Sequence, residues 1–254
     1  MAEIIITNEK NITNYGMCGY KNIKNEGYKR KIDWIIEQFQ NGMKVKILQS
    51  EQHGSVGSIE YLPGELAWRP VSAKGFMFIH CILIYSKKYK SMGNGTKLLD
   101  ECINDAKKQN MKGVAVVTRK GTFMQGNDLF IRSGFVSVDK SEPDFELLVN
   151  KFDDRFPDPK FLKFADLDLE KYQNGLFIIT SDQCPYATKS VADITLEAKQ
   201  NYKIIPQVIE LKNHKEAQNI PSAFGSFCII YNGKIIADHP ISSRRFSNIM
   251  KKVT

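Results

Sequence analysis

Lys90-Ser91-Met92-Gly93-Asn94-Gly95-Thr96 is the stretch whose reading decides the fold. Before it stands Phe76–Tyr85 (FMFIHCILIY), a nearly continuous apolar run that reads as a strand buried on both faces. After it, Thr96–Lys108 is amphipathic with a helical period. Two glycines let the backbone turn tightly between strand and helix, so that several N–H groups point at one place. The helix dipole adds about half a positive charge at that end, and Lys87, Lys88 and Lys90 add more. A phosphate or pyrophosphate is the natural occupant of such a turn. The turn is not a P-loop, because no Gly-Lys-Ser/Thr ends it, and it lacks the GxGxxG spacing of a dinucleotide fingerprint. Taken alone, it is equally consistent with a strand-to-helix connection that binds nothing.

Working outward, the first half alternates strand and helix. Ile32, Ile35, Ile36 and Phe39 mark a helix, and Met43–Gln49 and Gly57–Leu62 read as strands. Gly113–Thr118 (GVAVVT) is a buried strand, and Asn127–Ser133 a short helix ended by Gly134. Val136–Asp139 and Phe145–Val149 close the set as strands. A boundary falls in Lys151–Lys171, where Pro157 and Pro159 break regular structure and acidic residues cluster. The reading is therefore a domain over 1–150, a linker over 151–171 and a smaller domain over 172–254.

The 254 residues carry 36 basic and 28 acidic side chains, a net charge of +8. The excess is thin, +5 over residues 1–150 and +3 over 151–254, and no Lys/Arg run reaches five. Local pockets for anionic small molecules fit this better than nucleic acid, which stays a minor alternative. No apolar stretch approaches the roughly 20 residues that a bilayer needs, and MAEIIITNEK has none of the parts of a secretory signal. Cys18, Cys81, Cys102, Cys184 and Cys228 are scattered without a CxxC pair, which argues against a disulfide framework or a zinc site. A cytoplasmic protein without metal or membrane partner is the expectation.

In order, the run Ile82–Tyr85, the loop Lys88–Gly95, Leu98-Leu99, the strand Gly113–Thr118 and Leu129–Phe135 (LFIRSGF) resembles the GNAT acetyltransferase superfamily over about residues 30–150. The resemblance implies a mixed sheet flanked by helices, and acetyl-CoA as co-substrate. A Gln/Arg-x-x-Gly-x-Gly/Ala loop after the fourth strand holds the coenzyme A pyrophosphate in that family; here Lys90 stands first and keeps the charge. By the same resemblance, Leu83, Ile84 and Tyr85 offer backbone groups to pantetheine, and Lys90, Met92, Gly93, Asn94, Gly95 and Thr96 hold the pyrophosphate. Asn127 and Phe130 are then expected beside the thioester. Many members carry a tyrosine at the Phe130 position to protonate the leaving thiolate. Phe130 has no proton to give, so another donor serves or the thiolate leaves unassisted.

For the general base, members often use a residue eleven or nine positions before the loop, here Ile79 and Cys81. His80 is out of phase and on regular alternation faces the opposite side of the sheet, as a core histidine or, less simply, a base. Glu60, on the neighbouring strand, is the preferred base, drawing a proton from an ammonium through water; an exposed strand carboxylate is the plain alternative. The loop Pro63–Pro70 brings Glu65, Trp68 and Arg69 together, a set suited to a small zwitterionic amine, with Phe123 and Met124 as further border. A merely packed loop is the equal alternative.

In the second half, Gly175–Thr180 reads as a strand, Thr188–Gln200 as a helix, and Tyr202–Leu211 as a strand. Ser226–Tyr231 and Lys234–Asp238 flank Asn232-Gly233, a hairpin signal, and Ser242–Lys252 is a helix. This order resembles a thioredoxin-like fold of βαβββα type, and after an acetyltransferase it looks like the YoaP-like domain. The resemblance places Cys184 at a helix N-terminus with a lowered thiol pKa, and makes Pro221 cis. Cys184-Pro185-Tyr186-Ala187 lacks the second cysteine of a dithiol motif. A thiol-recognising site and a degenerate docking module both remain open; Cys228 reads as core. The functional expectation is an acetyl-CoA-dependent N-acetyltransferase acting on a small amine. The alternative is a thiol-related protein whose first half only binds coenzyme A.

Overall fold

The computed structural model describes residues 2–20, 24–163 and 170–253. The boundary stretch is therefore described except for 164–169, which lie outside the described residues. Two compact units are present: Met1–Asn25, Ile32–Ala67 and Val71–Phe161 form the first; Glu26–Lys31, Trp68–Pro70 and Leu162–Thr254 form the second.

The first unit holds strands β1 (Ala2–Ile6), β2 (Lys44–Ser50), β3 (Gly54–Pro63), β4 (Val71–Ser72), β5 (Met77–Ile84), β6 (Gly113–Thr118), β7 (Val136–Ser141), β8 (Phe145–Lys151) and β9 (Lys160–Phe161). Its helices are α1 (Glu26–Phe39, whose first residues belong to the second unit), α2 (Asn94–Lys108) and α3 (Asp128–Arg132). Seven strands form one mixed sheet in the order β1-β2-β3-β5-β6-β8-β7. Only the β5–β6 pair is parallel, as its helical crossover through α2 requires. β1 is an element the sequence reading did not include. Ile59, Tyr61, Ile79, Ile82, Leu99 and Phe130 lie in a core built from the sheet, α2 and α3.

Two irregularities in β5 set the geometry of the anion-loop region. Glu60 aligns with Cys81 but Tyr61 aligns with Ile79, so His80 is an extra residue in a β-bulge. The bulge resets the phase. Ile79 and Ile82, three apart, share one core cluster, while His80 packs edge-on against Phe78 and Trp34 at ring distances of 5.3 and 6.4 Å. Next, β5 and β6 pair over Met77–Ile79 and Val114–Val116. Beyond that point Ile82–Ile84 stay with β3, and Val117 and Thr118 stay with β8. The two strands part at the bulge.

At the far end of α2, Asp105 accepts hydrogen bonds from Tyr61 Oη (2.6 Å) and Lys44 Nζ (3.1 Å) and pairs with Lys46 Nζ (2.9 Å). Burial raises the Asp105 carboxyl, but these donors outweigh it and hold the pKa at about 2.

The second unit contains β10 (Leu176–Thr180), α4 (Pro185–Tyr202), β11 (Gln207–Glu210), α5 (His214–Gln218), β12 (Phe227–Tyr231), β13 (Lys234–Ala237) and α6 (Ser243–Val253). Its sheet runs β11-β10-β12-β13, with β10–β11 parallel and the other pairs antiparallel. Asn232 and Gly233 both take positive φ (47° and 75°), the conformation of a two-residue hairpin turn. The strand expected from Tyr202 starts only at Gln207. Tyr202 still belongs to α4, Lys203 caps it in the left-handed region, and Pro206 removes a ladder donor. The expected cis bond before Pro221 is not formed; the cis peptide among the described residues is Glu142–Pro143.

Candidate functional site

The loop Lys90–Thr96 is built by backbone geometry. Ser91 (φ 60°) and Gly93 (φ 74°) both sit in the left-handed region, and Gly93 is the N-cap of α2 without a side-chain cap. The first N–H groups of α2 thus look outward for an acceptor. A Cβ at Gly93 meets nothing within 4 Å, so the demand for glycine is conformational. Asn94 is buried and donates from Nδ2 to the Tyr89 carbonyl at 2.9 Å. The Tyr89 hydroxyl is in turn held by Ser50 Oγ (2.6 Å) and His53 Nδ1 (3.0 Å).

One groove of about 310 Å³ runs along this loop. Leu83 and Ile84 form one wall, and Lys90, Gly93, Asn94, Gly95 and Thr96 the other. Ile82–Ile84 here belong to the part of β5 beyond its pairing with β6. Leu129 and Arg132 of α3 and Gln125 complete the lining and were missed in the sequence. The signal was available: Leu129 and Arg132 are three apart on one helical face, and Arg132 adds a cation. Four expected residues, Tyr85, Met92, Asn127 and Phe130, stand outside the lining. Met92 is exposed, and Tyr85 donates its hydroxyl hydrogen to Ser58 Oγ. Burial pushes the Tyr85 hydroxyl well above its ordinary value, so it keeps its proton.

Phe130, expected beside a thioester, is fully buried and edge-on to Phe135 at 5.4 Å. It belongs to the core, because the same face of α3 that carries it meets the sheet. Asn127 Nδ2 donates to Glu146 Oε2 at 3.2 Å and lines a different groove. Glu60 is not exposed; it is fully buried in β3, opposite Cys81 and level with the point where β5 and β6 part.

The loop expected to border an acceptor pocket carries its three side chains in different settings. Glu65 is exposed and accepts from the Gly75 N–H at 3.3 Å. Trp68 and Arg69 are buried. Arg69 Nη1 donates to the Phe224 carbonyl and its guanidinium lies 5.4 Å from the Phe224 ring centre, all within the second unit. Arg69 is committed to packing. Phe123 is exposed in the left-handed region (φ 65°), and neither it nor Met124 lines the loop groove.

Two further grooves lie in the first unit. One, of about 400 Å³, is bordered by Thr118 at the end of β6 and by the β7–β8 hairpin; six of its eleven lining residues are charged. Those charges engage one another: Arg119 pairs with Asp144 at 2.6 Å and Lys140 with Glu146 at 3.9 Å. The other, of about 670 Å³, lies beside Tyr85 and Ser86 at the end of β5.

In the second unit Cys184 is the N-cap of α4, with extended backbone (φ −115°, ψ 118°), partial exposure and Pro185 in the first turn. Asp182 nearby pairs with Arg30 at 2.8 Å. Cys228 is fully buried in β12, and burial pushes its thiol up. Among the described residues, no three His, Cys, Asp or Glu side chains gather as a metal site, and no helix is long and apolar enough to cross a membrane.

A family model described as YoaP-like matches residues 207–248. An N-acetyltransferase of Bacillus subtilis (strain 168), described as the uncharacterized N-acetyltransferase YoaP, is 29% identical over 194 residues, which cover 76% of this chain and 76% of that protein. Solved structures to which the chain is similar include an acetyltransferase of the GNAT family from Staphylococcus aureus Mu50, at 16% identity over 60% of this chain and 100% of that one, with a TM-score of 0.43. Another is the PaiA N-acetyltransferase from Thermoplasma acidophilum in complex with coenzyme A, at 13% identity over 60% and 99% of the two chains, TM-score 0.43.

Proposed function

We propose that this chain is a GNAT-type acyltransferase that moves an acetyl group from acetyl-CoA to the amine of a small molecule. One observation carries the reading: a single groove joins the parted edge of β5 at Ile82–Ile84 to the uncapped start of α2 at Gly93–Thr96. An extended, diphosphate-bearing ligand with an amide arm fits these two halves. Peptide-like groups of the arm meet strand-edge N–H and C=O groups, and the diphosphate meets helix N–H groups with Lys90 and Arg132 beside them. Glycine at 93 keeps the backbone approachable where the phosphates sit.

When bound, acetyl-CoA supplies a thioester carbon open to attack by a neutral amine. Backbone N–H groups of β5 near the bulge polarise the carbonyl oxygen as charge develops on it. Glu60, level with the bulge, takes the proton of the incoming ammonium through water. Phe130 gives no proton, so the thiol leaves as thiolate, which a pKa near 8.5 permits.

For the second unit we infer a thioredoxin-like domain in which Cys184 recognises a thiol-bearing molecule. Cys184 at the start of α4 supports the reading, since the helix dipole favours thiolate there. Ala187, buried where a resolving thiol would stand, leaves no dithiol chemistry. Release of free thiol from acetyl-CoA, followed with a chromogenic thiol reagent across an amine library, tests the transferase. Turnover above the rate without amine is the expected result; none with any amine overturns it.

A further inference from the structure

Three side chains that can move a proton or bond to carbon meet where β5 parts from β6. Glu60 and Cys81 are aligned partners across the antiparallel β3–β5 pair, and His80 is the extra residue of the bulge beside them. Aligned partners share one face of a sheet, with their Cβ atoms about 5 Å apart. Neighbours fix which face this is. Ile59 and Tyr61 on β3, with Ile79 and Ile82 on β5, belong to the core shared with α2. Glu60 lies between the first two, so it and its partner Cys81 point the other way. His80 turns to that side too, where it meets Phe78 and Trp34 of α1.

Cys81 differs from the other cysteines of the first unit. Cys18 and Cys102 are buried, and burial pushes the Cys102 thiol up, whereas Cys81 is half-buried. Its place along the strand matters as much. Leu83, two residues on and about 7 Å away at strand rise, lines the coenzyme groove. The β5–β6 pairing ends at Ile79 and Val116, just before Cys81. The thiol thus stands at the level of β5 where the thioester carbon is drawn in, with a buried carboxylate opposite it.

We infer that Cys81 is an acyl acceptor: while no amine is bound, it takes the acetyl group of acetyl-CoA and carries it as a thioester. The inference rests on the coenzyme A reading of the groove. One thioester is exchanged for another. The bond from Cys81 Sγ to the carbonyl carbon forms, the bond from that carbon to the coenzyme sulfur breaks, and its electron pair leaves on that sulfur. Glu60 takes the Cys81 thiol proton and hands it to the coenzyme thiolate. The strand N–H groups that polarise the carbonyl for an amine do the same for the thiol. Exchange between two alkyl thiols is close to balanced, so excess coenzyme A reverses it.

Mass spectrometry of the full chain after incubation with acetyl-CoA and no amine tests this. One acetyl group per chain is expected, mapped to Cys81 on peptides kept in mild acid and removed by neutral hydroxylamine or by excess coenzyme A. One equivalent of free thiol is expected to appear as it forms. Cys81→Ala is expected to lose the hydroxylamine-labile acetyl group and keep its coenzyme A affinity within about twofold in calorimetry. Glu60→Gln is expected to slow the acylation about tenfold or more. An acetyl group on Cys184 instead of Cys81, a labile acetyl group that persists in C81A, or none on a chain that binds coenzyme A overturns this inference alone. A chain that does not bind coenzyme A overturns the transferase reading as well.

Discussion

Two helices in this chain begin in chemically opposite ways. α2 starts after two left-handed residues, Ser91 and Gly93, with no side chain capping its N–H groups and Lys90 alongside. α4 starts at an extended Cys184, with a proline that has no N–H in its first turn and Asp182 two residues before it, engaged by Arg30. Both carry the same dipole. The approach chain differs in what it puts beside that dipole: a lysine and two left-handed residues in one case, a cysteine and a proline in the other. Neither helix has a side-chain cap, so the difference lies in the approach: a left-handed glycine leaves the first N–H groups of α2 open to a groove, while Pro185 removes one donor from the first turn of α4.

The sharpest way to break this contrast is to fill the α2 start. Gly95→Phe places a ring in the groove while its Cβ meets Leu129 no closer than 3.4 Å. Coenzyme A affinity is expected to fall about 100-fold or more in calorimetry, which corresponds to roughly 2.7 kcal/mol. Lys90→Glu reverses one charge and is expected to weaken binding about tenfold at low salt, less at 0.5 M salt. A change that salt does not reduce would separate Lys90 from the anion.

Asp105→Asn, at the opposite end of α2, sharpens the comparison as a control. It removes a buried carboxylate from Tyr61, Lys44 and Lys46 and is expected to cost about 1–3 kcal/mol of stability, with coenzyme A affinity unchanged. The folded pKa of Asp105, about 2, lies below the ordinary value. Its stabilisation is therefore complete above about pH 4 and is lost as pH falls towards 2, a window that denaturant melts of wild type and D105N should show as converging curves. Smallest of all, Cys184→Ser is expected to change acetyl transfer by less than twofold, while wild-type Cys184 reacts with a thiol probe faster in the native than in the denatured chain. Equal labelling rates would leave the α4 start without an activated thiol.

How far the site was legible depends on the range of the contacts that make it. The loop at Lys90–Thr96 declares itself through glycine spacing between a strand and a helix, which is local information. The parting of β5 from β6 and the bulge at His80 depend on register, and register is set by neighbours far along the chain. Counting back from Lys90 assumed regular alternation, which the bulge interrupts. Trp68 and Arg69 misled for the same reason: a Trp-Arg pair in a proline-bounded loop looks exposed, but Phe224, 155 residues away from Arg69, claims the guanidinium. Family position put Phe130 beside a thioester, but it is fully buried in the core by packing that no motif states. The groove beside Tyr85 was out of reach because Tyr20, Gln52 and Tyr85 come from three separate segments.

Isothermal titration of the full chain with coenzyme A tests the central claim most directly. One site with a dissociation constant of about 1–100 µM, weakening as salt rises, is the predicted result. An absence of heat together with an unchanged melting temperature at millimolar coenzyme A would contradict it.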